Sequence, residues 1–195
     1  MRALKDGTDV RGIRVRSKRE IQMNEELVRK SIGVSKESFC ELYGLYKDRL
    51  YRYALYRLGS PEDAEDAVSD CVLQAWKGIP GLKDPKAFGS WIFRILSACC
   101  AKRIKEMIGD REYPYLVNED GYTDPSGDTE KAVLLAEALS ILKDDERDIV
   151  LLSVIAGLTS SEIAGQTGLR PGAVRSKLSR SLARMREFLS QGESL

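Results

Sequence analysis

The chain has 195 residues, room for one or two modest domains, and its 43% hydrophobic and 31% charged residues are an ordinary globular mix. No apolar run approaches the roughly 20 residues that span a bilayer, and no apolar signal segment marks the N-terminus, so a cytoplasmic protein without membrane insertion is expected. There is no histidine, and the four cysteines, Cys40, Cys71, Cys99 and Cys100, lack C-x-x-C spacing, which leaves little for a zinc site and suits buried thiols in a reducing compartment. Without a Gly-rich phosphate loop or a credible nucleophile–base pair, no enzyme, metal or cofactor is expected.

Net charge is only +1, but it is unevenly spread. Residues 1–36 carry +5, residues 110–128 carry −5, residues 129–162 carry −4, and residues 163–195 carry +4. A nucleic-acid reader shows itself by such local islands rather than by the total.

Residues 1–34 read as a basic N-terminal arm with no strong apolar period, and no site is placed there. Over 36–58, Phe39, Leu42, Tyr43, Tyr46, Leu50 and Tyr53 recur at helical spacing, predicting one helix closed by Gly59. Ser60-Pro61-Glu62-Asp63 supplies an N-cap, a first-turn proline and two acids for the positive end of the next helix, which runs to about Trp76 or Lys77. Ala64, Ala67, Val68, Cys71, Val72 and Ala75 can face inward there, leaving Asp63, Glu65, Asp66, Ser69, Asp70 and Gln74 as an acidic outer face. After a breaker-rich loop at 78–83, Asp84-Pro85 restarts a helix whose apolar stripe is Phe88, Trp91, Ile92, Ile95 and Cys99, with Lys86, Arg94, Lys102, Arg103 and Lys105 around it.

Residues 109–128 are acidic and rich in Gly, Pro, Asp, Asn and Ser, and read as a flexible linker. Beyond it, 129–142 forms an amphipathic helix, and Asp144 or Asp145 is expected to cap the next, which Gly157 closes. Thr159 and Glu162 then have capping-box spacing, with Leu158 and Ile163 placed as a hydrophobic staple. Gly168 suits a helix-closing turn, and Pro171 suits the first turn of a last helix with Val174, Leu178, Leu182, Met185 and Leu189 on one face. A capped helix, a glycine turn and a basic amphipathic helix make a helix-turn-helix, whose second helix enters the DNA major groove. No strand-like alternation occurs, so the chain reads as all-α: an arm at 1–34, a helical domain at 35–108, the linker at 109–128 and a helix-turn-helix domain at 129–192.

Two runs carry a family resemblance. Asp63-Ala64-Glu65-Asp66-Ala67-Val68 through Gln74-Ala75-Trp76, followed by Phe88-x-x-Trp91-Ile92-Phe93-Arg94-Ile95, is similar to a D-A-E-D-x-x-Q-x-x-F-x-x-x-W signature and its sequel. Thr159-Ser160-Ser161-Glu162-Ile163-Ala164 with Gly172-Ala173-Val174-Arg175-Ser176-Lys177-Leu178 is similar to S-x-x-E-I-A with G-T-V-K-S-R-L. In this order the two runs resemble bacterial RNA polymerase sigma factors of the extracytoplasmic-function type, over roughly residues 36–190. The resemblance implies a region 2-like and a region 4-like domain that bind core polymerase, through its β′ coiled coil and β flap, and read promoter DNA. It also implies an anti-sigma protein that clamps both domains.

By that likeness Asp63, Glu65, Asp66, Asp70 and Gln74 face the β′ coiled coil. Arg170, Pro171, Gly172, Ala173, Arg175, Ser176, Lys177 and Arg180 are the candidates for the minus-35 element, and Lys83, Lys86, Trp91, Arg94 and Lys102 for the single-stranded minus-10 element. The chain departs from the family at Ala98, where many members have an Asn, and at Arg170-Pro171, where a small polar cap is usual. The rival reading is a free-standing helix-turn-helix regulator with an N-terminal sensing or dimerisation domain.

Overall fold

Caps and breakers in the sequence set most helix boundaries. In the computed structural model, which describes residues 18–33, 35–108 and 129–192, the described residues form nine α-helices and two 3-10 turns, with no strand among them. The first domain holds α1 (Lys18–Ile32), α2 (Lys36–Gly44), α3 (Lys47–Leu58), α4 (Pro61–Gly78) and α5 (Phe88–Ile108), with the 3-10 turns Ile79–Gly81 and Pro85–Ala87 between α4 and α5. The linker at 109–128 lies outside the described residues.

Part of the expected arm is a helix. Residues 1–17 lie outside the described residues, but α1 buries Leu27, Val28 and Ser31 and packs on α2 and on both 3-10 turns. Its apolar contact is too short to show a period in the sequence. The single helix expected over 36–58 is two. At the break, Leu45 and Tyr46 donate their N–H groups to the carbonyls of Leu42 and Tyr43 at 3.2 and 2.8 Å, a tightened i→i+3 turn. Gly44 weakens the helix just before that point. The bend lets Tyr46 meet Phe88 edge-on at 5.1 Å.

Gly59 closes α3 in the left-handed conformation, and Ser60 accepts the Asp63 N–H at 3.3 Å to start α4. Ala64, Ala67, Cys71 and Ala75 of α4 are fully buried, and such small side chains let α3 and α5 approach closely. Leu50 and Leu55 from α3, with Ile92, Phe93 and Leu96 from α5, fill the centre. Each contributes on the order of 2 kcal/mol of apolar burial.

The second domain holds α6 (Thr129–Ser140), α7 (Asp144–Val154), α8 (Ser160–Thr167) and α9 (Pro171–Gly192). The expected Asp144 or Asp145 cap of α7 is not observed: Asp144 is already helical, and the cap position is Lys143, whose N–H donates to the Glu146 carboxylate at 3.2 Å. Arg147, only 2% exposed, donates to the carbonyls of Leu139 and Leu142 at 3.0 and 3.1 Å and pairs with Asp144. It thereby satisfies carbonyls that the end of α6 leaves without helical partners. The capping box of α8 forms as its spacing requires: Thr159 N–H donates to Glu162 at 2.8 Å and Glu162 N–H to Thr159 Oγ1 at 3.3 Å. Leu158 and Ile163 are both buried beside it, and Gly168 closes α8 at φ 72°.

The two domains touch. Arg57 of α3 pairs with Asp148 of α7 at 2.9 Å and with Asp144 at 3.4 Å, and the Tyr53 hydroxyl donates to Asp148 at 3.0 Å. Arg49 reaches the Ala156 carbonyl at 3.4 Å, and Gln166 of α8 donates to the Ser90 carbonyl of α5 at 2.8 Å.

Candidate polymerase and nucleic-acid interfaces

The outer face of α4 is less uniformly negative than its sequence. Arg103 crosses from α5 to Asp66 at 2.9 Å and to Asp63 at 3.4 Å, so two of the five candidates are paired with an intramolecular cation. Glu65 is exposed and Asp70 half-buried, and neither enters an ion pair among the described residues. Gln74 is exposed, and its amide donates to Cys99 Sγ at 3.3 Å. Between them stands Leu73, 58% exposed. Sequence reasoning missed it, although a leucine three positions after Asp70 on a polar face is the available signal. The face thus combines carboxylates with one apolar anchor, which suits a basic helical partner with an apolar stripe.

The start of α5 carries the minus-10 candidates. Lys83 and Lys86 are exposed on the connection from α4, where Asp84 caps the turn by accepting the Lys86 N–H at 2.9 Å. Trp91 is half-buried: its ring lies 5.8 Å from that of Phe88 and directly against Gly78, where an added Cβ would stand 3.2 Å away. Trp91 therefore holds the connection to α5 as well as showing a partial surface. Arg94 is exposed, and Lys102, also exposed, lies two turns on, roughly 12 Å along the axis. Ala98, where the family's Asn would stand, is exposed between them. Lys102 pairs with Glu106, one turn on, at 3.7 Å.

The start of α9 is the most open of the three surfaces. Arg170, Pro171, Gly172, Ala173, Arg175, Ser176 and Arg180 are all exposed, while Val174 is fully buried and anchors the helix. Gly172, Ser176 and Arg180 follow at i+4 spacing and Ala173 joins them at i−3 from Ser176, so one stripe combines small residues with a cation. Arg170 and Arg175 enter no ion pair among the described residues. Lys177 differs: it is three-quarters buried and its ammonium is paired with Asp145 of α7. That pairing holds the Asp145 carboxyl below the usual carboxylate range. Arg184, further along, pairs with Glu146 at 2.9 Å and donates to the Ile141 carbonyl at 2.7 Å. The acidic start of α7 thus ties down the rear of the basic helix and leaves its tip uncommitted.

Three of the four cysteines are shut away from reagents. Cys71, Cys99 and Cys100 are buried, and burial pushes the Cys71 thiol far up and the Cys100 thiol up to about 12, so both stay protonated. Among the described residues no cluster of His, Cys, Asp or Glu is arranged to hold a metal ion, and no helix is long and apolar enough to cross a membrane.

These surfaces lie on parts that known proteins share. Residues 42–106 match the family model of sigma-70 region 2 and residues 132–185 that of sigma-70 region 4, together more than half of the chain. The chain is 27% identical over 173 residues to the ECF RNA polymerase sigma factor SigM of Mycobacterium tuberculosis, covering 88% of this chain and 87% of that one. It is 25% identical over 170 residues to SigW of Bacillus subtilis, covering 78% and 89%. Its fold is similar to CnrH solved in complex with the cytosolic domain of CnrY, with a TM-score of 0.66, 22% identity and coverage of 87% of this chain and 98% of that one. It is also similar to the sigma factor RpoE of Bartonella quintana solved with the anti-sigma factor NepR, with a TM-score of 0.64, 21% identity and coverage of 79% and 98%. With region 2 on the acidic-faced helix and region 4 on the helix-turn-helix, the chain belongs to the sigma-70 family, as a sigma factor of the extracytoplasmic-function type that directs promoter-specific transcription initiation.

Proposed function

We propose that three separate faces divide the work of initiation. The outer face of α4, with Glu65, Asp66, Asp70, Leu73 and Gln74, docks on the basic β′ coiled coil of core polymerase. Opposite charge steers that encounter and makes it salt-sensitive. The exposed cations of the α4–α5 connection and of α5, Lys83, Lys86, Arg94 and Lys102, hold the backbone of the single-stranded minus-10 element, with the open part of Trp91 available to a base. The tip of α9 reads the minus-35 element in the major groove, Arg170 and Arg175 being the cations free to reach a base edge or phosphate. Lys177, committed to Asp145, contributes less, and Arg180 lies where a phosphate contact fits. The second domain also meets the β flap, and an anti-sigma protein holds the factor inactive, as the likeness to a sigma factor solved in complex with an anti-sigma factor suggests. The polymerase supplies the catalysis, and the factor works where polymerase and DNA are, in the cytoplasm.

The observation that supports this most is the pairing of an acidic, leucine-bearing helix in one domain with an uncommitted basic helix tip in the other. Run-off transcription with purified core polymerase tests it. Core plus this protein is expected to start a discrete transcript from a responsive promoter; no specific start together with no binding to core rules the reading out. Asp66→Lys with Asp70→Lys is expected to abolish core binding while circular dichroism stays native, and unchanged core affinity would remove α4 from the interface. No observation favours the free-standing regulator.

A further inference from the structure

A cavity of about 360 Å³ opens on the first domain between α2, α3 and α4. That volume lies at the lower end of the roughly 300–1,000 Å³ of ligand pockets. Buried Val68 of α4 lies at its base, and the half-buried Tyr43 of α2 and Tyr51 of α3 form its walls. Lys47, Asp48, Glu65 and Ser69, all exposed, make the rim. Ser69 keeps the opening wide: it stands at the seventh position of the run 63–76, where the signature D-A-E-D-x-x-Q has a longer Gln.

The lining suits a flat cation. Burial, and after it Cys71 and Asp48, push the Tyr43 phenol up; burial, and after it Glu65, do the same to Tyr51, so both rings stay neutral. A neutral phenol ring offers a cation its electron-rich face. Lys47, Asp48 and Glu65 enter no ion pair among the described residues, so one positive and two negative charges leave the rim at −1. A guanidinium is planar and weakly hydrated, stacks on aromatic faces and meets carboxylates with a fork of N–H groups, whereas an ammonium is a compact, strongly hydrated point charge. The opening also runs into the outer face of α4. Glu65 belongs to both, Ser69 follows one turn later, and exposed Leu73 lies one turn beyond that, roughly 6 Å along the axis. A basic helix laid along α4 can therefore seat an arginine in the cavity and an apolar residue, one turn away, on Leu73.

We propose that this cavity takes the guanidinium of one arginine from the β′ coiled coil of core polymerase, with Tyr51 and Asp48 of α3 as specificity-determining contacts. This rests on the docking role proposed above for α4, and it adds α3 to that surface.

Binding of the full-length protein to immobilised core polymerase tests it, with circular dichroism confirming that each variant is folded. Asp48→Asn removes a rim charge and Ser69→Trp fills the opening; each is expected to weaken binding about tenfold, the scale of one charge-assisted contact. Tyr51→Leu should weaken it several-fold, while Tyr51→Phe, which keeps the ring, should stay near native. Lys47→Gln, which removes the cation of the rim, should strengthen it. Glu62 is an exposed acid of the same helix that does not line the cavity, so Glu62→Gln measures the general field of α4. A loss there equal to that of Asp48→Asn would overturn the cavity as a specific site. In NMR spectra of the protein alone, N-acetyl-arginine amide is expected to shift the Tyr43 and Tyr51 ring signals saturably, and its lysine counterpart at equal ionic strength is not. Equal shifts with both, or none with either, would overturn the guanidinium. Core binding that Asp66→Lys with Asp70→Lys abolishes, but that Asp48→Asn and Ser69→Trp leave unchanged, overturns the cavity and keeps α4 at the interface. Native protein that does not bind core at all overturns both.

Discussion

The rear and the tip of α9 use the same residue type in opposite ways. Toward the rear, Lys177 and Arg184 are bound to Asp145 and Glu146 of α7 and hold the domain together. At the tip, Arg170 and Arg175 are exposed and unpaired among the described residues. The first domain repeats the contrast: Arg57 and Arg103 are spent on internal carboxylates, while Arg94 is open. A basic residue count therefore overstates the charge available to DNA. Availability depends on which carboxylates the fold brings alongside, and a paired cation has little left to offer a phosphate without first losing its partner.

That contrast can be broken or sharpened in steps. The largest effect is expected at Arg147, the most deeply buried cation among the described residues of the second domain. Arg147→Ala removes a buried donor from the Leu139 and Leu142 carbonyls and one of the cations paired with Asp144, and on the order of 3 kcal/mol of stability should disappear in urea denaturation. A loss near zero would mean that water replaces the guanidinium and that its burial is incidental.

Arg175→Ala should weaken binding to the minus-35 element by about 1–3 kcal/mol and relax base preference at one position, with unfolding unchanged. Lys177→Ala should do the reverse: a smaller loss on DNA and a small loss of stability. The sign with pH follows from Asp145, whose carboxyl is depressed by Lys177. The stabilisation is present above the ordinary aspartate value of about 3.9 and is lost as pH falls through the depressed one. Lys177→Ala should therefore flatten the acid limb of stability slightly. Equal DNA losses from both substitutions would show that the Asp145 pair opens freely and that the tip-and-rear distinction is false.

Thr159→Ala removes half of the α8 capping box and should cost about 1 kcal/mol in a thermal melt, with no change in which bases are read. The smallest perturbation is chemical. A thiol reagent at pH 8 should react quickly with Cys40 alone, and with the buried three only on unfolding. Fast reaction of Cys99 or Cys100 would show that α5 opens locally, and with it the footing of Arg103 and Asp66.

The chain by itself determined the parts of the fold whose causes are local. Gly59, Ser60-Pro61, Thr159-x-x-Glu162 and Gly168 act within a few residues of themselves, so their caps and turns stand where the sequence puts them. The alternation of alanines, Val68 and Cys71 on α4 likewise declared its inner face, and the pairing of that helix with a helix-turn-helix declared the family. The first-turn acids of α7 misled, because Asp144 serves Arg57 and Arg147 rather than the helix start. The bend at Leu45 and the α1 contact were equally illegible, since each depends on what lies across from it. Only the tertiary structure decided which charges are spent. Asp63 and Arg103 are 40 residues apart, and Tyr53 and Asp148 are 95. No spacing rule reaches that far, and an ion pair's worth is set by the burial and partners that folding alone supplies.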